Sequence, residues 1–197
     1  MALRRLERRT GTMAAAMAAS MALRGAAQAD LVEYRDKAEW QAAVGEFATL
    51  DFTGFQNGEV LSDQYSDLGV LFPDGNDTVR LSPSIFLNDG WGVKDNDGPI
   101  TIHFDTPRRA FAADYPGFVS FFLYRTGDLV GHVDFLPGGV GNFAGVVSEV
   151  TFDMVEVVDV TGGDVLMDDL YFSIPSPGSI ALLIATCART GSRRRRI

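Results

Sequence analysis

From Ala48 to Ser173 the chain keeps returning to one pattern: a short segment dominated by apolar and β-branched side chains, then a break rich in glycine, proline, asparagine or aspartate. The segments fall at 48–52, 68–72, 78–82, 100–104, 110–114, 118–126, 129–136, 142–147, 150–160 and 165–173. A period of two places successive side chains on opposite faces of a sheet. About ten such segments, separated by turns rather than by helical stretches, predict an all-β fold, a single β-sandwich of jelly-roll-like form. One helix precedes them. In "DKAEWQAAVGEF" Asp36 reads as N-cap with Glu39 three residues on, Trp40, Ala43, Val44 and Phe47 share a face, and Gly45 marks the end.

What holds such a body together follows from its cysteine and charge. The chain has one cysteine, Cys187, outside the strand-bearing part, so a disulfide framework is excluded and a packed core must do the work. The strand-bearing part, 30–174, is long enough for one. It carries 25 acidic against 7 basic residues, a balance of −18 within a chain whose net charge is −9. That field repels a phosphate backbone and anionic lipid, so nucleic acid is not an expected partner, and divalent cations are the natural counter-charge.

The missing positive charge lies at the two ends. Arg4, Arg5, Arg8 and Arg9 precede the apolar stretch Met13–Leu23, and Ala27-Gln28-Ala29 supplies small residues before Asp30. This predicts an export signal over 1–29, the alternative being an ordinary Ala/Met-rich helix. At the other end, Pro175 and Pro177 hold a segment out of helical conformation, Ser179–Ala188 is apolar, and Arg193, Arg194, Arg195 and Arg196 follow. As a helix the apolar run would span only ~15 Å of a ~30 Å hydrocarbon layer, too short for a permanent anchor. The order of these three parts over 175–197 resembles the PEP-CTERM sorting signal of Gram-negative envelope proteins, with Ser176 in the place of the glutamate and a shortened apolar run. The resemblance implies processing by an integral-membrane exosortase-type enzyme, only transient contact with the membrane, and delivery to the cell envelope, outer surface or extracellular matrix.

The body itself, through "LDFTGFQNGEVLSDQYSDLGVLF", "GPITIHFDTPRRAFAAD", "GVVS" and "DDLYF", resembles jelly-roll domains similar to carbohydrate-binding and galactose-binding-like modules. That resemblance implies a structural Ca²⁺ ion held by Asp51 in the first sandwich strand and by Asp168 or Asp169 in the last, with backbone carbonyls completing the oxygen shell that calcium requires. A second acidic group, "NDGWGVKDNDGP", reads as a loop in which Trp91 offers a flat ring, and Asp89, Asp95 and Asp97 offer hydrogen bonds, to an exopolysaccharide or other glycan. Turn chemistry accounts equally well for the Asn-Asp-Gly run, and a single tryptophan also suits a core. "FVSFFLYRT" reads as a buried strand.

Catalytic patterns are faint. "EVTFDMVE" matches the second half of a Glu-x-Asp-x-x-Glu array of sandwich glycosidases through Asp153 and Glu156, but Thr151 stands at the nucleophile's place, and on a regular strand Asp153 and Glu156 point to opposite faces. His103 and His132 sit singly within strand patterns and read as structural. No phosphate loop, dinucleotide loop or nucleophile elbow occurs. The sequence thus predicts a non-enzymatic structural or adhesive sandwich, with glycan recognition as the second reading.

Overall fold

A computed structural model describes residues 29–73, 80–83, 91–95, 98–115, 117–135 and 142–174, with the backbone alone at Trp91. The expected export segment up to residue 28, the sorting tail from Pro175, and Asp89 and Asp97 lie outside them. The elements are β1 (Leu31–Tyr34), helix α1 (Lys37–Val44), β2 (Phe47–Leu50), a 3-10 turn (Ser66–Leu68), β3 (Val70–Leu71), β4 (Arg80–Pro83), β5 (Trp91–Asp95), β6 (Ile100–Tyr115), β7 (Val119–Arg125), β8 (Asp128–Phe135), β9 (Asn142–Asp159), β10 (Val165–Met167) and β11 (Leu170–Ser173). Among the described residues all pairings are antiparallel, and they form an all-β sandwich with one short helix.

Two long strands build both layers. β6 has 16 residues and β9 has 18. At ~3.3 Å per residue a straight strand of that length would span roughly 50 Å, far beyond one layer of a small sandwich, so both must bend. They do so together: Ile100–His103 pair with Met154–Val157, Ala110–Tyr115 pair with Asn142–Val147, and the register shifts between. On one side of the bend β6 and β9 join β3, β7 and β8; on the other they join β11, β2 and β1. The layers then meet ring against ring, Phe111 on Phe121 at 5.0 Å and Phe104 on Phe172 at 5.4 Å between centroids. The smaller sheet β10-β5-β4 adds Leu81, Val93, Val165 and Met167 to the same core.

Arg108 occupies the bend. Its guanidinium is buried over the rings of Phe104 and Phe172, at 5.5 and 5.1 Å, and donates to the carbonyls of Ser173 and Leu68, both at 3.3 Å. Burial lowers its pKa below the usual arginine value, and the charge of Asp105 opposes that shift. The backbone amides freed by the bulge are also satisfied: Arg109 and Ala110 N–H donate to Ser173 Oγ at 3.0 and 3.1 Å.

Helix α1 covers the outer surface of the second layer. Asp36 caps it, its Oδ1 accepting from Glu39 N–H at 2.9 Å. Trp40 is fully buried among Phe47, Phe143 and Tyr171, with Nε1 donating to the Val146 carbonyl at 3.3 Å. Ala43, expected on this face, is exposed. The β6 segment Ala110–Tyr115 therefore lies between the core and the helix layer, which is why all six of its residues are buried.

Several expectations about elements are corrected. The segments 100–104 and 110–114 are one strand, as are 142–147 and 150–160, while 165–173 is two. Trp91–Asp95 is strand β5 rather than a loop, paired with β4 and β10. β1 had no counterpart in the strand pattern; it adds to β9 at its Gly145–Ser148 edge.

Candidate functional site

Across the first layer, outward-pointing side chains align by register. Phe122 of β7 stands opposite His132 of β8 on one side and Glu156 of β9 on the other, and Glu156 in turn faces Thr101 of β6. One step along, Tyr124 faces Met154, Met154 faces His103, and His103 faces Leu71 of the edge strand β3. A third row runs Asp134, Ser120, Val158. Their inward neighbours Ile100, Ile102, Phe121, Leu123, Val133, Val155 and Val157 form the core.

Unlike the outer surface under α1, this one keeps aromatic and polar groups near solvent. His103, His132 and Leu71 are exposed, and Phe122, Tyr124, Met154 and Glu156 are half-buried. Phe122 and His132 stack nearly flat, 5.4 Å between centroids with 12° between planes. Tyr124 donates its hydroxyl to Glu156 Oε2 at 2.8 Å, and its pKa is pushed up to about 12, by burial first and then by that bond and the charge of Glu156. In the third row Ser120 is buried and donates its hydroxyl to the exposed Asp134. The result is a surface on which two aromatic rings are fixed by neighbouring side chains, Phe122 by His132 and Tyr124 by Glu156.

Reading 118–126 as a buried strand is half right: Phe121 and Leu123 are buried, while Phe122 and Tyr124 look out. His103 and His132 are not core residues but exposed members of this patch. Asp153 and Glu156 also differ from a regular strand. Phe152 and Val155, three positions apart, are both buried in the core, so the irregularity beside Phe152 takes Asp153 off the inward face. Each carboxylate has a partner: Asp153 accepts from Thr126 N–H at 3.0 Å, and Glu156 accepts from Tyr124.

The second polar cluster ties α1 to the sheet. Tyr171 Oη lies 2.7 Å from Asp114 Oδ2 and 2.8 Å from Asp169 Oδ2, and Lys37 Nζ donates to Tyr171 Oη and to Asp114 Oδ2, the latter at 3.2 Å. The phenol has one proton for two carboxylates, so the two share it. Burial first, then the two carboxylates, raise the Tyr171 pKa.

The aspartates expected to hold calcium are found at one end of the second layer. β2 and β11 pair through Leu50 and Leu170, which brings Asp51, just past the end of β2, and Asp169, just before β11, to neighbouring positions. Their carboxylates have different partners: Asp51 Oδ1 accepts from Thr53 N–H at 3.2 Å and Thr53 Oγ1 at 3.1 Å, while Asp169 Oδ2 accepts from Tyr171 Oη at 2.8 Å. Asp168 is buried, its N–H donating to the Asp114 carbonyl at 2.8 Å. Among the described residues no three His, Cys, Asp or Glu side chains converge as a metal site. A calcium ion at Asp51 would compete with the Thr53 bonds. Of the expected glycan contacts, Asp95 is buried within β5.

Against known proteins, no family model matches the chain, and no curated protein matches it.

Proposed function

We propose that the chain is an exported component of the cell surface or extracellular matrix, delivered by its 1–29 segment, processed by an exosortase-type enzyme within 175–197, and serving there as a structural or adhesive sandwich rather than as a catalyst. The observation that carries the adhesive reading is the outward face of β6, β9, β7 and β8, where Phe122, Tyr124 and Met154 stay near solvent although buried positions on the same strands are filled by Phe121, Leu123 and Val155. Contact function is the economical account of rings kept at a surface whose opposite side is a complete core. The C-terminal end of the described body is held firmly: β11 is hydrogen-bonded to β2 and β6, and Ile174 N–H bonds the Glu46 carbonyl at 3.1 Å.

The test is a deletion strain assayed for cell–cell cohesion and matrix retention, together with purified protein assayed for reducing-sugar release. Loss of cohesion with no sugar release supports the reading. Sugar release that disappears in Glu156→Gln would establish a hydrolase instead.

A further inference from the structure

We infer that Lys37 and Asp114 join in an amide, Nζ to Cγ, a covalent cross-link between helix α1 and strand β6 that forms within the folded body. The claim goes beyond the surface reading above and does not depend on where the protein resides.

The two reactants are already in place. Lys37 Nζ lies 3.2 Å from Asp114 Oδ2. The carboxyl carbon is one C–O bond, ~1.2 Å, further on. Attack starts from ~3–3.5 Å, so the remaining approach is a rotation at the end of the lysine side chain. Both groups stand on rigid elements. Lys37 opens α1 directly after its cap, Asp36, and Asp114 is pinned in β6 by two backbone bonds, its N–H donating to the Asp169 carbonyl at 2.9 Å and its carbonyl accepting from Asp168 N–H at 2.8 Å.

Tyr171 makes the pair more than an ion pair. Its hydroxyl touches the amine, Asp114 Oδ2 at 2.7 Å and the second carboxylate, Asp169 Oδ2, at 2.8 Å. Amide formation asks for that set: a nucleophile, a donor to the departing oxygen, and a base that takes protons from nitrogen. In the step the Nζ–Cγ bond forms and the Cγ–Oδ2 bond breaks. Oδ2 leaves as water with the two protons that the ammonium gives up, passed on through Tyr171 and Asp169. One positive and one negative charge vanish together, so no oxidant, cofactor or co-reactant is consumed.

The surroundings favour the product. Groups held in contact react at an effective concentration of ~10⁵–10⁸ M, and a neutral amide escapes the desolvation penalty that an ion pair carries beside the buried Asp114. Trp40, Phe47 and Phe143 pack around Tyr171, and Lys37 Nζ sits 4.1 Å from the centre of the Tyr171 ring. The lysine side chain stays 40% exposed, which gives the released water a way out. A body without disulfides would thereby gain a covalent tie between residues 77 apart in the chain.

The test is tryptic digestion of the folded protein and mass spectrometry of the peptides. The amide blocks cleavage after Lys37, so the peptide 36–80 should appear joined to 110–125, lighter than the two together by one water. Lys37→Arg, which keeps the charge without the amine, and Asp114→Ala should both lose the link. Tyr171→Phe keeps the ring and breaks the relay, so water loss followed over time after refolding should slow about a hundredfold; Asp169→Asn should slow it as well, and Asp169→Glu should recover part of the rate. Separate peptides, cleaved after Lys37, from wild-type protein that is folded by circular dichroism would overturn the inference. So would a water loss that persists in Lys37→Arg, or a link that forms at the parental rate in Tyr171→Phe. Linked peptides from protein found only in the cytosol would reject export and leave the cross-link standing.

Discussion

Gly145, in the interior of β9, should reverse the sign that glycine-to-alanine replacement usually has in a strand. In a strand interior alanine is normally better than glycine by ~0.5–1 kcal/mol. At Gly145 an added Cβ would lie 2.6 Å from Trp40 Cδ1 and 2.8 Å from Phe143 Cε1, against ~3.5–4.0 Å for a relaxed carbon contact. Neither ring can retreat easily, because Trp40 is fully buried, bonded to the Val146 carbonyl at 3.3 Å, and packed by Phe47, Phe143 and Tyr171. Overpacking of this kind costs ~1–3 kcal/mol, which outweighs the backbone gain and leaves Gly145→Ala destabilised by about 1–2 kcal/mol. For a chain of this size that lowers the melting temperature by roughly 2–8 °C. Calorimetry and urea titration measure it, and a double-mutant cycle with Trp40→Leu locates the cause: with the indole gone, the same alanine should be neutral or stabilising. A melting temperature that rises in Gly145→Ala alone, or falls equally in both backgrounds, would refute the reasoning.

Arg108→Ala should cost at least ~1.5 kcal/mol in urea unfolding, since the carbonyls of Ser173 and Leu68 lose a charged donor at the bend, and Arg108→Lys should recover little because one ammonium does not reproduce the fork. The β7–β8 turn has Thr126 at φ 51° and Gly127 at φ 86°, both left-handed, so Thr126→Asn should raise stability by about 1 kcal/mol; a fall would show that the Thr126 hydroxyl bond to Arg125 outweighs the strain. Stability should fall as pH rises above 10. Tyr65 and Tyr124 keep their protons to about 12 in the fold, Tyr171 is raised as well, and unfolded tyrosine releases its proton near ~10, so over that window the folded state binds more protons and each pH unit favours unfolding. Tyr65→Phe should flatten that slope, and an unchanged slope would discount the assignment. If calcium joins Asp51 to Asp169 at free ion a hundredfold above Kd, it adds ~2.7 kcal/mol, and an excess of chelator should lower the melting temperature; an identical melt removes the ion from the account.

The sandwich was legible in the sequence because Ile100, Ile102 and Phe104 alternate with Thr101 and His103, and that alternation is what one buried face demands. The continuity of β6 was hidden by Asp105-Thr106-Pro107, which reads as a break; in the fold Pro107 sits at the bulge, where a strand tolerates it. Helix α1 was legible because its cap and its tryptophan are local signals. Strand β1 was not, since it is four residues long and its pairing with Gly145–Ser148 is a distant one. The open face was hidden for a related reason. Phe121, Phe122, Leu123 and Tyr124 are apolar on both faces, so periodicity does not say which side is closed, and what brings Glu156 beside Phe122 is a register across strands far apart in sequence.

Export and trimming around the β-sandwich are tested most directly by the intact mass of the protein recovered from the cell envelope. A chain beginning at Asp30 and ending between Pro175 and Gly178 is the predicted result. A full-length chain from Met1 to Ile197, recovered from the cytosol, would contradict it.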